Sequence, residues 1–408
     1  MKSDKIIIDL NRNLVPEKPG WRKFCIGLFL LFAATQLVSA QTFDFSNVPG
    51  VVINHAPAPG KIFLGTPSLV ILPEGTYISS HEIFGAESGV VSVYESKNKG
   101  KSWKKIAEFE GIWNGLYLIR DELYSMGSDK QYNFTIRKST DGGHTWTTPH
   151  DAKTGLLRQS DSEKGFHSSA VSVIAAKGRI WKPCEIFRKN GRWGNFEAMV
   201  MSAPEDADLL NASNWKSSTR MSVDTAWGKE YGCWLEGGAV LSPEGNVLNI
   251  LRVDNRETET AAIMHVSENG ETLSFNPRKD FIDFPGGCKR FVIRFDEKSN
   301  RYWSLTNWIP EKFKGYNVER TRNTLALISS ADLQNWTIHK VVLQDDNVDK
   351  NGFQYVDWQV DGTDMIFVSR TAFFDGAWFA DNQHNANFIT FHRIEDFRKY
   401  AETTISED

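Results

Sequence analysis

Two stretches of the chain share one pattern. SKNKGKSW (residues 96–103) and STDGGHTW (residues 139–146) both read Ser-x-Asp/Asn-x-Gly-x-Ser/Thr-Trp, and each follows a run of β-formers. In such a stretch the short Asp or Asn side chain folds back on the turn backbone, the Gly supplies a positive φ, and the Trp packs between sheets. The pattern therefore closes hairpins. Looser copies stand at SENGET (residues 267–272), SADLQNW (residues 330–336) and NASNW (residues 211–215). A chain that repeats one hairpin closure along its length folds as a repeated supersecondary unit. With 12% aromatic residues, 14 Trp and 31 Gly, the composition favours strands joined by turns over helices.

The repeats lay out six units of four short strands, A to D, with the turn motif between C and D. The first runs TPSLVILPEGTYISSHE…VVSVYESKNKGKSWKKIAEF, and the others begin near Trp113, His167, Trp234, Lys289 and Gln354. The sixth lacks a D strand. SNVPGVVINH (residues 46–55) can supply it, closing a ring between the two chain ends and removing exposed edges. The expectation is an all-β, six-bladed β-propeller formed as a single domain by residues 41–408, ending in a short helix or tail. Seven blades is the alternative count.

Residues 1–40 read differently. Trp21-Arg22-Lys23, the apolar run FCIGLFLLFAA and then TQLVSAQ are the charged, apolar and small-residue zones of a secretory signal, with cleavage near Ala40. The apolar run is shorter than the roughly 20 residues needed to span a bilayer, so the mature protein is expected to be exported, periplasmic or extracellular, and not membrane-bound. Cys184, Cys233 and Cys288 remain beyond the signal without CxxC spacing, so no zinc site is expected. They are read as one disulfide with a spare thiol or as buried thiols. A formal net charge of -4 gives no reason to expect nucleic acid as a partner. No cofactor or metal is implied.

If strand A leaves the top face, B returns to it and C leaves again, so the turn motifs lie on the opposite face. Functional residues belong at starts of A, ends of B and starts of C, on loops held by a rigid ring. Those positions carry His81 and Glu82, His167 and Glu185, Glu236 and Arg252, Lys289 and Arg290, Asn307, Tyr355, Arg370 and His384; His55 joins them from the closing strand. Taken singly, each reads equally well as a solvated rim residue or half of a salt bridge. Together, so many titratable groups at one channel mouth are typical of sites and not of cores. Trp113 and Trp234 are either packing or sugar-stacking platforms.

The turn motif resembles the Asp box of sialidase-like β-propellers, and the likeness extends over nearly the whole mature chain. Exo-sialidases carry an Arg-Ile/Leu-Pro motif before the first strand, a Glu and an Arg bracketing the A–B hairpin of the fourth unit, and a Tyr opening the last. The resemblance implies a Tyr nucleophile, a Glu that takes its proton, and arginines that clamp a substrate carboxylate. WLEGGAVLSPEGNVLNILR offers Glu236 and Arg252, and FQYVDW offers Tyr355. FLGTPSLV departs, with Gly65 in place of the first arginine, which removes a charge-assisted contact of roughly 1.5–3 kcal/mol.

His81 brings in a second resemblance, to propeller enzymes that act on rhamnosyl-glucuronate and other uronate glycans by His or Tyr acid–base chemistry. The implied function is cleavage of a terminal uronate- or sialate-containing glycan, by hydrolysis or by β-elimination. Tyr355, Glu236, His81 and His55 are the expected catalytic set. Arg252, Arg370, Lys289, His167, Glu185, Asn307, His384 and Trp234 are expected to hold the acidic oligosaccharide or polysaccharide. The alternatives are a true exo-sialidase and a non-catalytic glycan-binding propeller, since the fold hosts both.

Overall fold

A computed structural model describes residues 42–191, 194–228 and 232–405; the signal read in residues 1–40 lies outside them. The described residues form six antiparallel sheets, and the order of strands within each is sequential from A to D. Blade one is Ile62–Ile71, Tyr77–Gly85, Val90–Ser96 and Lys104–Glu110. Blade six is Gly352–Asp361, Asp364–Ala372 and Phe388–Ile394, and its fourth strand is Val51–His55 from the start of the chain. Val51 pairs with Phe391 and His55 with Phe388, so the ring closes as expected. The inner strands are buried on both faces because each sheet packs between two others, and the core is a set of interblade clusters. Among the described residues no helix is long and apolar enough to cross a membrane. The expected C-terminal helix is the 3₁₀ turn Phe397–Glu402.

The turn motifs hold themselves together by their own side chains. Gly143 N–H donates to Ser139 Oγ at 2.8 Å, Thr145 N–H to Asp141 Oδ1 at 2.9 Å, and Trp146 Nε1 to Gly143 O at 2.9 Å. Blade one repeats the first two bonds with Ser96 and Asn98, and blade five repeats the Trp bond with Trp336 and Leu333. Each Trp then packs on the neighbouring blade: Trp103 on Phe391, Trp146 on Phe109, Trp336 on Phe284. The motif is thus both a turn and an interblade clamp.

Near the axis the blades are tied by one buried carboxylate. Asp357 Oδ2 accepts from Ser68 Oγ at 2.8 Å and Leu69 N–H at 2.9 Å, in blade one. Its Oδ1 accepts from Arg294 of blade five at 2.8 Å and from Trp358 N–H at 3.0 Å. Ser68 Oγ in turn accepts from Leu116 N–H of blade two at 2.9 Å. Four blades therefore share one relay. The cysteines take the thiol form of the two readings: Cys184, Cys233 and Cys288 are free and buried, and burial pushes the first two up to about 12.

Removing the carboxylate at Asp357 strands four donors in the interior. Asp357→Ala is expected to lower unfolding free energy by about 3–5 kcal/mol in urea titration, and Asp357→Asn, which keeps the shape and one of the two acceptor oxygens, by less.

Candidate active site

Four blades carry the same backbone device near the start of strand A. The A–B ladder slips between Gly65 and Ser68, Ile112 and Gly115, Leu235 and Gly238, and Gln354 and Asp357. Within each slip one non-glycine residue turns left-handed: Thr66 (φ 44°), Trp113 (φ 56°), Glu236 (φ 56°) and Tyr355 (φ 53°). Such a conformation costs of order 1–3 kcal/mol, and a bulge re-aims the side chain that it carries. All four side chains are aimed into one cavity of about 920 Å³ on the top face. Glycine is needed beside one of them, since a Cβ at Gly237 would lie 2.1 Å from Asn249 Oδ1.

Arg252 joins the two residues of the expected reacting pair. Its Nη1 donates to Glu236 Oε2 at 2.8 Å and lies 3.3 Å from the Tyr355 hydroxyl. Three more guanidinium groups stand against the Tyr355 ring, with Arg370 at 4.7 Å, Arg322 at 5.7 Å and Arg290 at 5.9 Å from its centroid. Glu319 pairs with Arg322 at 2.8 Å and with Arg252 at 3.7 Å. Six cations, Lys130, Arg252, Arg256, Arg320, Arg322 and Arg370, line the cavity against four carboxyls, Glu82, Glu236, Asp254 and Glu319. The opposite wall is apolar, with Trp113 stacked on Tyr132 at 5.7 Å.

Two carboxyls of this cavity are pushed apart. Burial raises Glu236, but Arg252, His167 and Arg290 outweigh it and hold the carboxyl below its ordinary range. Glu82 goes the other way: burial raises it beyond what the Thr66 hydroxyl and the Trp113 N–H can offset. Its Oε1 accepts from Thr66 Oγ1 at 2.6 Å, and its Oε2 from Trp113 N–H. Opposed shifts in one cavity separate an acid from a base. His384 is held neutral, far below its ordinary value, by burial and by Arg370 and Arg322.

The structure brings Tyr355, Glu236, Arg252, Arg370, His167 and His384 to this cavity. Glu185 sits behind it, accepting from His167 Nδ1 at 2.7 Å and from Gly237 N–H at 3.0 Å, so it orients the histidine and the bulge instead of meeting a ligand.

The other expected residues belong to the framework. His81 is wholly buried: strand alternation turns Glu82 into the cavity and His81 toward blade six, where its Nε2 lies 3.0 Å from Asn54 Nδ2, while its ring stacks on Tyr94 of its own blade. His55 reaches the top face on the outermost strand, where it bonds Asp375 at 3.0 Å and packs on Phe388. Lys289 is tied to Glu259 at 3.2 Å and to Val318 O at 3.0 Å. The Asn307 amide faces three backbone carbonyls, and Trp234 is a core residue bonded to Met221 O. Arg322 and Glu319 were not anticipated, although Arg322 stands just before strand C of blade five, a position the layout marks as functional.

The burial of His81 has a measurable consequence. Burial lowers it to about 4, whereas an unfolded histidine titrates near 6.5. Between those values the unfolded chain binds the extra proton, so this group takes stability away as pH falls from about 6.5 to about 4. His81→Gln is expected to reduce the stability lost between pH 7 and pH 5 by about 2 kcal/mol, measured by urea unfolding at both pH values.

No protein-family model and no curated protein sequence matches the chain. Solved structures do. An α-L-arabinanase from Penicillium chrysogenum, complexed with arabinobiose, is similar with a TM-score of 0.53 and 13% identity over 87% of this chain and 98% of that one. A leech intramolecular trans-sialidase complexed with 2,7-anhydro-Neu5Ac gives a TM-score of 0.53 at 10% identity over 87% and 71%. A Trypanosoma rangeli sialidase complexed with sialic acid gives 0.50 at 13% identity over 81% and 54%. At these identities the likeness is one of architecture, and the architecture is the six-bladed, sialidase-like β-propeller.

Proposed function

We propose that this protein is a glycan-cleaving enzyme acting at a terminal acidic sugar, with Tyr355 and Glu236 as its reacting pair. The observation that carries this reading is the single guanidinium of Arg252 between the Glu236 carboxylate and the Tyr355 hydroxyl. A phenol is a weak nucleophile until a partner accepts its proton and nearby charge stabilises its oxygen. Glu236, held ionised by Arg252, is the acceptor, and the surrounding guanidinium groups stabilise negative charge as it develops. In the proposed first step the Tyr355 oxygen bonds to the anomeric carbon, the glycosidic C–O bond breaks, and the Tyr355 proton passes to Glu236. Glu82, kept protonated to higher pH by burial, gives its proton to the leaving oxygen. Water then bonds to the anomeric carbon and gives a proton to Glu82, while the Tyr355 oxygen leaves and takes its proton back from Glu236.

The excess of cations over carboxyls supports a carboxylate-bearing sugar, a uronate or a sialate, in preference to a neutral one. Relatives in fold bind both kinds, arabinobiose in one and sialic acid in another. The apolar wall of Trp113 and Tyr132 suits the less polar face of a sugar ring. The signal reading of residues 1–40 adds export to the proposal.

The test is a panel of sialosides and uronate-capped oligosaccharides, followed by released reducing ends and by absorbance of an unsaturated uronate, which separates hydrolysis from elimination. Tyr355→Phe removes only a hydroxyl and is expected to lower kcat by at least about 10²-fold with KM little changed. Wild-type protein that binds an acidic glycan in calorimetry and releases no product is a binding module, and the catalytic reading then falls.

A further inference from the structure

We infer that Arg290 is a positioning residue kept for Tyr355, an unpaired guanidinium near the channel axis beside the ring that stabilises negative charge at the phenol oxygen without touching substrate. The inference rests on Tyr355 being the reacting group.

Arg290 is 2% exposed, and its Nε, Nη1 and Nη2 all lack a hydrogen-bond partner among the described residues. Its neighbours in charge do not share that condition: Arg252 pairs with Glu236, Arg322 with Glu319, and Arg370 donates to His384 O. Arg290 opens blade five, yet the groups acting on it are Asp357 and Tyr355 of blade six, Glu236 of blade four and Tyr117 of blade two. A side chain within electrostatic reach of three other blades lies at the axis. Neither nearby carboxylate neutralises it by contact, because Asp357 is engaged by Ser68, Leu69, Arg294 and Trp358, and Glu236 by Arg252. Its backbone is fixed from the preceding residue, where Lys289 is anchored on Glu259 and Val318 O.

Buried charges are ordinarily paired, and one left unpaired destabilises a fold strongly. A structural arginine would have gained partners. A fixed charge aimed at a place where negative charge develops needs no reorganisation during reaction, and that is the gain which offsets its cost. Arg290 stands 5.9 Å from the Tyr355 centroid and does not line the substrate cavity, so its effect belongs to the chemical step and not to binding.

The experiment compares the full chain with Arg290→Met, which removes the charge at similar volume, and Arg290→Lys, which keeps the charge. Arg290→Met is expected to melt at or above the wild-type Tm and to lose at least about 10-fold in kcat, with KM within about 2-fold. Arg290→Lys is expected to keep more of kcat than Arg290→Met. Wild-type kcat in Arg290→Met overturns the inference. So does its failure to fold, which marks a framework residue, and so does an equal loss in both variants. A wild-type protein without turnover on the acidic glycans overturns the reading of Tyr355 itself, and it is told apart because the fault then appears before any substitution.

Discussion

The carboxylate of Asp357 is the contact on which the ring's geometry depends. Neighbouring blades share no backbone ladder, only single backbone bonds such as Leu64 N–H to Ala386 O and Phe353 N–H to Arg322 O, so relative blade positions rest largely on side chains, and van der Waals packing alone fixes them loosely in rotation. Through Ser68, Asp357 and Arg294 the inner strands of blades one, five and six are locked in register, and Leu116 N–H extends the lock to blade two. Tyr355 stands two residues from Asp357, within the same bulge. The carboxylate that joins the blades therefore also holds the segment that carries the tyrosine, so the rigidity of the ring passes directly into the site.

The bulges explain why the site is built from strands and not from long loops. A left-handed residue inside a strand is strained, and strain persists only where the surroundings over-determine it. Here the surroundings are neighbouring blades: Glu82 of blade one holds the Trp113 N–H of blade two, and Glu185 of blade three holds the Gly237 N–H of blade four. Each carboxylate reaches one blade forward to fix the next bulge. The guanidinium groups of the cavity come from blades four to six, and the rings of Phe84, Trp113 and Tyr132 face it from blades one and two.

Much of this was legible in the residues. Turn motifs with a packed Trp define hairpins by local chemistry, so blade number, strand order and closure by residues 46–55 could be read before any contact was known. Glu236, Arg252 and Tyr355 were legible because a bracketing pattern marks them. What could not be read was side-chain parity and radius. His81 and Glu82 are adjacent, and only the packing of blade six against blade one decides which of them faces the cavity. His55 stands at the right height but on the outermost strand. In Lys289-Arg290 the two cations have different fates, one buried against Glu259 and one turned to the axis. Arg322 stands at a position of the expected kind, but no motif marks it.

The closing strand also sets the order of events during synthesis. Val51–His55 is among the first described segments to be made, and its partner Phe388–Ile394 among the last, so more than 300 residues separate the two sides of one ladder. Until the partner exists, the early strand is a bare edge with unsatisfied N–H and C=O groups. Loop closure over so long a span grows in cost only as the logarithm of its length, but contacts this distant in sequence form slowly. Blades one to five can assemble from local hairpins while the chain is still being extended. The seam closes last, and a chaperone that holds the first strand would protect the edge most exposed to mispairing.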